Sequence, residues 1–224
     1  MTFKLFYAGL AAAALTAVAT AAGATPIDLS VSNLNTRAGV TTKLNAGVTY
    51  QASGFPIALK ITPPDASWGG TQWKTSSHGK PAFGWAAFTH GPVNQPPKGV
   101  LEIETAYGPT PTAAVILGRL RTAGGGATFG PTVRVSLAGH PGWQIDGHIF
   151  GRFGHYFVPF TPKTGGATPP DGYNLSPGEA FRLVVLDVKG RRVVLFFDSA
   201  VLPADQFPTF LAAVRKLIIS LRLG

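Results

Sequence analysis

The residues whose types and spacing come nearest to chemistry are His140, Asp146, His148 and His155, a local concentration of titratable groups in the sequence. If residues 151–154 turn a hairpin between Gln144–Phe150 and Tyr156–Phe160, Phe150 lies opposite His155 and the two histidines His148 and His155 become diagonal neighbours on one face. Diagonal neighbours stand roughly 7–8 Å apart at the backbone, close enough for two imidazoles to share a metal ion. Asp146, two residues before His148 on the same strand, points the same way and supplies a third ligand. The same groups suit acid–base work. Against them, Phe150 and Phe157 share that face and no helical His-x-x-x-His motif is present, so ordinary half-buried or surface histidines are the competing reading.

Nucleophilic chemistry finds less. There is no Gly-x-Ser-x-Gly turn and no cysteine to act as nucleophile. Ser76-Ser77-His78 are adjacent in sequence, whereas triads assemble from distant segments, so this stretch reads as a polar loop. Glu102 and Glu104 alternate onto one strand face, a pair of carboxylates that reads more simply as a solvated sheet face than as a glycosidase pair. Gly124-Gly125-Gly126 follows a helix and lacks the Lys-Ser/Thr of a phosphate loop. Aromatic residues offer binding without catalysis. Trp68, Trp73 and Trp143 are candidates to line a groove for carbohydrate or an apolar ligand, with Trp68 and Trp73 expected at the surface because they sit in a glycine-bearing turn.

The elements that must position these groups are best defined near the C-terminus. Phe181–Val188 and Arg191–Asp198 read as two strands joined at Lys189-Gly190, a two-residue turn whose register sets Asp187 opposite Arg192. Leu183–Leu186 and Val193–Phe197 are continuous apolar runs, the pattern of strands covered on both faces. A closing helix follows, with Phe207, Phe210, Leu211, Val214, Leu217, Ile218 and Leu221 three and four apart, Asp205 as its cap and Pro208 in its first turn. A second helix opens at Thr110-Pro111-Thr112 and runs to about Arg121. Further strands are expected over Val48–Gln51, Phe55–Thr62, Gly84–His90, Val100–Ala106 and Val133–Leu137, while 63–70 reads as a turn.

The chain is long enough for one domain, and 45% hydrophobic with 13% charged residues is a folded composition. Met1-Thr2-Phe3-Lys4, an apolar alanine-rich stretch through Ala22, and Ala22-Gly23-Ala24 fit a leader cleaved near Ala24; a membrane anchor is the alternative. The organisation read from this is a signal peptide over 1–24, a linker or arm over 25–46, and a single domain over 47–224. The formal charge of +9 comes from singly spread Lys and Arg, which supports solubility and weak association with an anionic cell surface and gives no dedicated nucleic-acid site.

Three pieces of the chain then resemble a family of secreted bacterial domains similar in architecture to the PsbP-like α/β/α sandwich. They are Gly47–Tyr50 with Phe55–Trp68, the helix after Thr110-Pro111-Thr112 with Pro131–Gly142, and the strand–hairpin–helix ending in Ile219–Arg222. The resemblance implies an α+β fold, an antiparallel sheet with helices packed on it, and brings no catalytic residues. The reading that results is a secreted, non-catalytic domain binding an extracellular ligand or partner, with no cofactor expected. An extracellular hydrolase or metal-dependent enzyme with a His/Asp site, and an accessory subunit at an anionic cell surface, are its alternatives.

Overall fold

A computed structural model describes residues 24–31, 41–77, 80–91, 98–123, 126–152, 154–161, 172–199 and 202–224, of which 74–77, 80 and 81 through the backbone alone. The leader expected over 1–24 lies outside the described residues save for Ala24, and so do His78 and the pair Gly124-Gly125. The strands are β1 (Ile27–Asp28), β2 (Thr42–Lys43), β3 (Tyr50–Gln51), β4 (Leu59–Ile61), β5 (Trp68–Ser77), β6 (Lys80–His90) and β7 (Val100–Ala106). They continue with β8 (Ala127–Phe129), β9 (Val133–Leu137), β10 (His140–Ile149), β11 (His155–Phe157), β12 (Tyr173–Leu175), β13 (Ala180–Val188), β14 (Arg191–Asp198) and β15 (Arg222–Leu223). The helices are α1 (Ala113–Thr122) and α2 (Phe207–Ile218).

A nine-stranded antiparallel sheet runs in the order β2-β5-β6-β7-β14-β13-β10-β8, with β9 also paired to β10. Beside it stand a four-stranded sheet, β1-β3-β4-β15, and the pair β11-β12. The continuous apolar runs of β13 and β14 are explained by their position at the middle of the large sheet, where both faces are dry. One face carries Phe88, Ile103, Val184 and Leu195, packed with Phe210, Val214 and Leu217 of α2 and with Leu59 and Ile61 of the four-stranded sheet. The other carries Trp85, Ile145, Phe181 and Phe196, packed with Ile116, Leu117 and Leu120 of α1 and with Phe157, Tyr173 and Leu175 of β11 and β12.

This overturns the expected α+β class and the PsbP-like α/β/α sandwich. Among the described residues two α-helices are too few to make two helical layers, so each outer layer is shared between one helix and a small sheet, and the described structure is mostly β. The strands that tip the balance carry weak local signals. β5 begins at Trp68, inside the stretch read as a turn, and holds Gly69 and Gly70 because a Cβ there would strike Thr41 or Leu44. β1 and β2 come from the segment read as an arm. Ile27–Asp28 pairs with β3 and Thr42–Lys43 with β5, and Leu29 and Leu44 are each 2% exposed.

Local chemistry accounts for the helix ends. Thr112 caps α1, its side chain accepting from the Val115 N–H at 3.4 Å. The closing helix departs from expectation: Asp205 lies in a single 3₁₀ turn, and Gln206 stands at the start of α2 without a capping side-chain bond. Pro208 in the first turn lacks an N–H that would have gone unbonded there anyway. The hairpin of β13 and β14 has the register its turn dictates, with Asp187 opposite Arg192 and Arg192 Nη1 2.8 Å from Asp187 Oδ2. Lys189 and Gly190 both have positive φ, 53° and 82°. A Cβ at Gly190 would meet open space, so Gly190→Ala carries only the conformational penalty. Denaturant melts should show a loss of about 1–2 kcal/mol for Gly190→Ala and less for Gly190→Asn, which tolerates this conformation.

Candidate functional site

The sheet separates the histidines that sequence spacing had joined. β11 pairs with β12, His155 opposite Leu175, and not with β10, so the hairpin across residues 151–154 does not form. On β10, Ile145 and Ile149 point into the α1-side core, which sends His140, Asp146 and His148 to the α2 side. His155 belongs to the α1 side, 1% exposed, with Nε2 2.8 Å from the Leu120 carbonyl oxygen and its ring edge-on to Phe129. His148 and His155 therefore face opposite sides of the sheet. His140 and Asp146 are six strand residues apart, about 20 Å. His140 Nε2 lies 3.1 Å from the Leu223 carbonyl, and Asp146 accepts two bonds from Arg182, Nε at 2.7 Å and Nη2 at 2.8 Å. Among the described residues no three His, Asp or Glu side chains gather as a metal-binding group.

The tryptophans divide the same way. Trp68 and Trp73, expected at the surface, are 1% and 3% exposed, because they start and centre a long interior strand instead of a turn. Trp68 tilts against His90 at 4.9 Å, and burial pushes the His90 pKa down against the pull of Asp65. Trp73 stacks on Trp85 at 5.3 Å. Glu102 and Glu104 do share a face, but it is no solvated one: Glu104 is fully buried, in register with Trp85 on one side and Val194 on the other. Trp143 alone of the three candidates keeps surface. Half-buried on β10, it carries the Arg134 guanidinium over its ring at 3.8 Å, at the edge of a small cleft of about 160 Å³ that Val185, Asp187 and Arg192 also line.

On the opposite face lies the larger opening, a cleft of about 290 Å³ between α2 and strands β10, β13 and β14. Its floor is Val184 and Phe197, its helical wall Leu211, Val214 and Ile218, and its outer lip Leu137 of β9. The cleft exists because α2 seats one narrow row into the sheet. Phe207, Phe210, Val214 and Leu217 are buried, while Leu211 and Ile218, further round the helix, are only half-covered. Polar groups are few and grouped. Arg182 and Gln144 sit at one end, where the Gln144 amide oxygen, turned to the guanidinium, accepts from Nε at 3.1 Å. Arg215 is exposed at the mouth beside Ala212 and makes no ion pair among the described residues. Sequence reasoning missed Arg182 and Arg215. The available signal was a stripe on α2 wider than the packed row, since Leu211 and Ile218 extend it by a further step round the helix.

No family model matches the chain and no curated protein matches it, so membership of the PsbP-like family is not shown. Among solved structures the chain is similar to that of LpqN, described as involved in cell envelope biogenesis of Mycobacterium tuberculosis. Identity is 17%, the match covers 79% of this chain and 90% of that one, and the TM-score is 0.36, a likeness too loose to fix a fold or a role. Among the described residues no helix is long and apolar enough to cross a membrane.

Proposed function

We propose that this protein is a non-catalytic binding domain, delivered out of the cytoplasm by residues 1–24, whose α2 cleft takes the alkyl chain of a small amphiphile with an anionic head. The observation that carries this reading is the composition of the cleft: an apolar floor and wall with an exposed cation at the mouth that makes no ion pair among the described residues. Ligand sites typically combine a mostly apolar concavity with a few convergent polar groups. Arg182 is already satisfied by Asp146, so it orients the end of the cleft without adding net charge. Arg215 is left to meet the head group.

Titration with a series of fatty acids up to dodecanoate tests the proposal. Each methylene that enters the cleft should strengthen binding by about 0.8 kcal/mol, nearly fourfold, until the space is full. Ala212 is exposed on α2 and lines the mouth, so Ala212→Trp should plug the cleft and abolish binding while leaving the melting curve in place. Arg215→Glu should weaken dodecanoate by about fivefold and favour dodecylamine instead, the scale of one rim charge. Undiminished binding in Ala212→Trp, or no dependence on chain length, would overturn the proposal.

A further inference from the structure

The open edge of the large sheet at β9 is built to receive a strand, and we infer that it docks an extended protein segment in which acidic and apolar residues alternate. β9 pairs with β10 alone. Which of its backbone groups point outward follows from two residues of β10. Leu137 pairs with His140 around Ala138-Gly139, whose φ values of 53° and 80° make a two-residue turn, so that closing pair exchanges hydrogen bonds. Pro141, opposite Ser136, has no N–H to give, so the next rung is a non-bonded one. The alternation then sends Val133, Val135 and Leu137 inward for bonding and turns the N–H and C=O of Arg134 and Ser136 outward. Both residues are exposed, and neither outward pair finds a backbone partner among the described residues.

Edge strands are usually blunted by proline, a bulge, very short length or a covering element. Among the described residues β9 has none of these: its five residues hold one regular register, and what guards it is the Arg134 side chain. At the other edge β2 is two residues long. The side chains around β9 state what would fit. Arg134 lies over Trp143 on the α1 side, and Arg121 is tied by Nη2 to Thr132 Oγ1 at the start of the strand, at 2.6 Å. Val135 and Leu137 pack on the α2 side, and Val133 is 42% exposed. An added strand alternates its side chains between the same two faces. It therefore meets cations on one and apolar groups on the other. Pairing with a second copy of this chain would instead bring two sets of Arg121 and Arg134 within roughly a Debye length, about 8 Å, of one another. Strand addition gains affinity from main-chain bonds and specificity from alternate side chains, so an acidic–apolar segment is the occupant the edge selects.

The test uses the whole chain and two fluorescein-labelled peptides, one alternating Glu with Val and one alternating Lys with Val, read by polarisation. The Glu peptide should bind and the Lys peptide should not. Ser136→Pro removes one outward N–H and obstructs the edge while leaving the bonds to β10 intact, so it should keep its melting curve and weaken the Glu peptide at least about tenfold. Arg134→Glu, which alters no backbone group, should reverse the peptide preference, and it keeps the test open should Ser136→Pro unfold. Equal binding of both peptides, binding of neither, or a dimer of the free protein that Ser136→Pro dissolves would overturn the inference. Dodecanoate binding by Ser136→Pro should be unchanged, so failure here is distinguishable from failure at the α2 cleft.

Discussion

Phe196→Ala should lower the unfolding free energy by about 3–5 kcal/mol, the range for deleting a fully buried aromatic ring. Phe196 sits on a central strand, 1% exposed, stacked on Phe181 at 5.6 Å and tilted on Tyr173 at 4.5 Å. Those two partners come from β13 and β12, so the ring ties the large sheet to the small pair that covers it. Its removal deletes contacts on both sides, and the surrounding strands are too constrained by their hydrogen bonds to close the gap. A domain stable by about 5–15 kcal/mol would lose a large part of that margin. Phe150→Ala is the control. Phe150 is 63% exposed, and its alanine variant should move a denaturant midpoint by less than about 0.5 kcal/mol. Equal shifts in the two variants would show that the α1-side core is not packed as described.

The second large effect is expected at Leu217. It is fully buried at the C-terminal end of the row by which α2 meets the sheet, after Val214 and before Leu221, which follows the helix. Truncation to alanine should cost about 2–5 kcal/mol through lost transfer energy and the cavity left behind. Lys216 is the preceding residue on the same helix and is exposed, so Lys216→Ala should change stability by less than about 0.5 kcal/mol. Alanine favours helix at both positions, so a difference between the two measures packing and not propensity. Near-zero shifts for both would detach α2 from the core, and with it the floor and wall of the proposed cleft.

Apart from the Asp205 cap, which does not form, the helix and hairpin features governed by residues close in sequence matched their sequence reading. Lys189-Gly190 turns the hairpin, and the turn length alone places Asp187 against Arg192. A helix opens after Thr110-Pro111-Thr112 as read, and Thr112 proves to be its cap because its hydroxyl oxygen and the Val115 N–H are three residues apart on any helix that starts there. The row Phe207, Phe210, Val214 and Leu217 is buried as its spacing requires. Each of these depends on geometry that repeats within one turn or one strand pair. The chain carries that geometry wherever it is placed.

Partner choice between strands is different in kind, because, proline apart, every residue presents the same backbone hydrogen-bonding groups along a strand edge. Nothing in His155–Phe157 states that its neighbour is Tyr173–Leu175 and not β10; the apolar cover that α1, β11 and β12 build together over Phe181 and Phe196 makes that selection. Once it is made, His155 falls on the far side of the sheet from His148, and the metal arrangement dissolves with the hairpin it assumed. Trp68 and Trp73 are buried for the same reason. Two glycines beside a tryptophan look like a turn until Thr41 and Leu44, about thirty residues away in sequence by the numbering, take the space that side chains would have filled. The cleft beneath α2 and the bare edge of β9 arise at the same level. Each is a surface left over after long-range packing has been satisfied, and hydrophobic burial, which is non-directional, does not record in the local sequence where such remainders will fall.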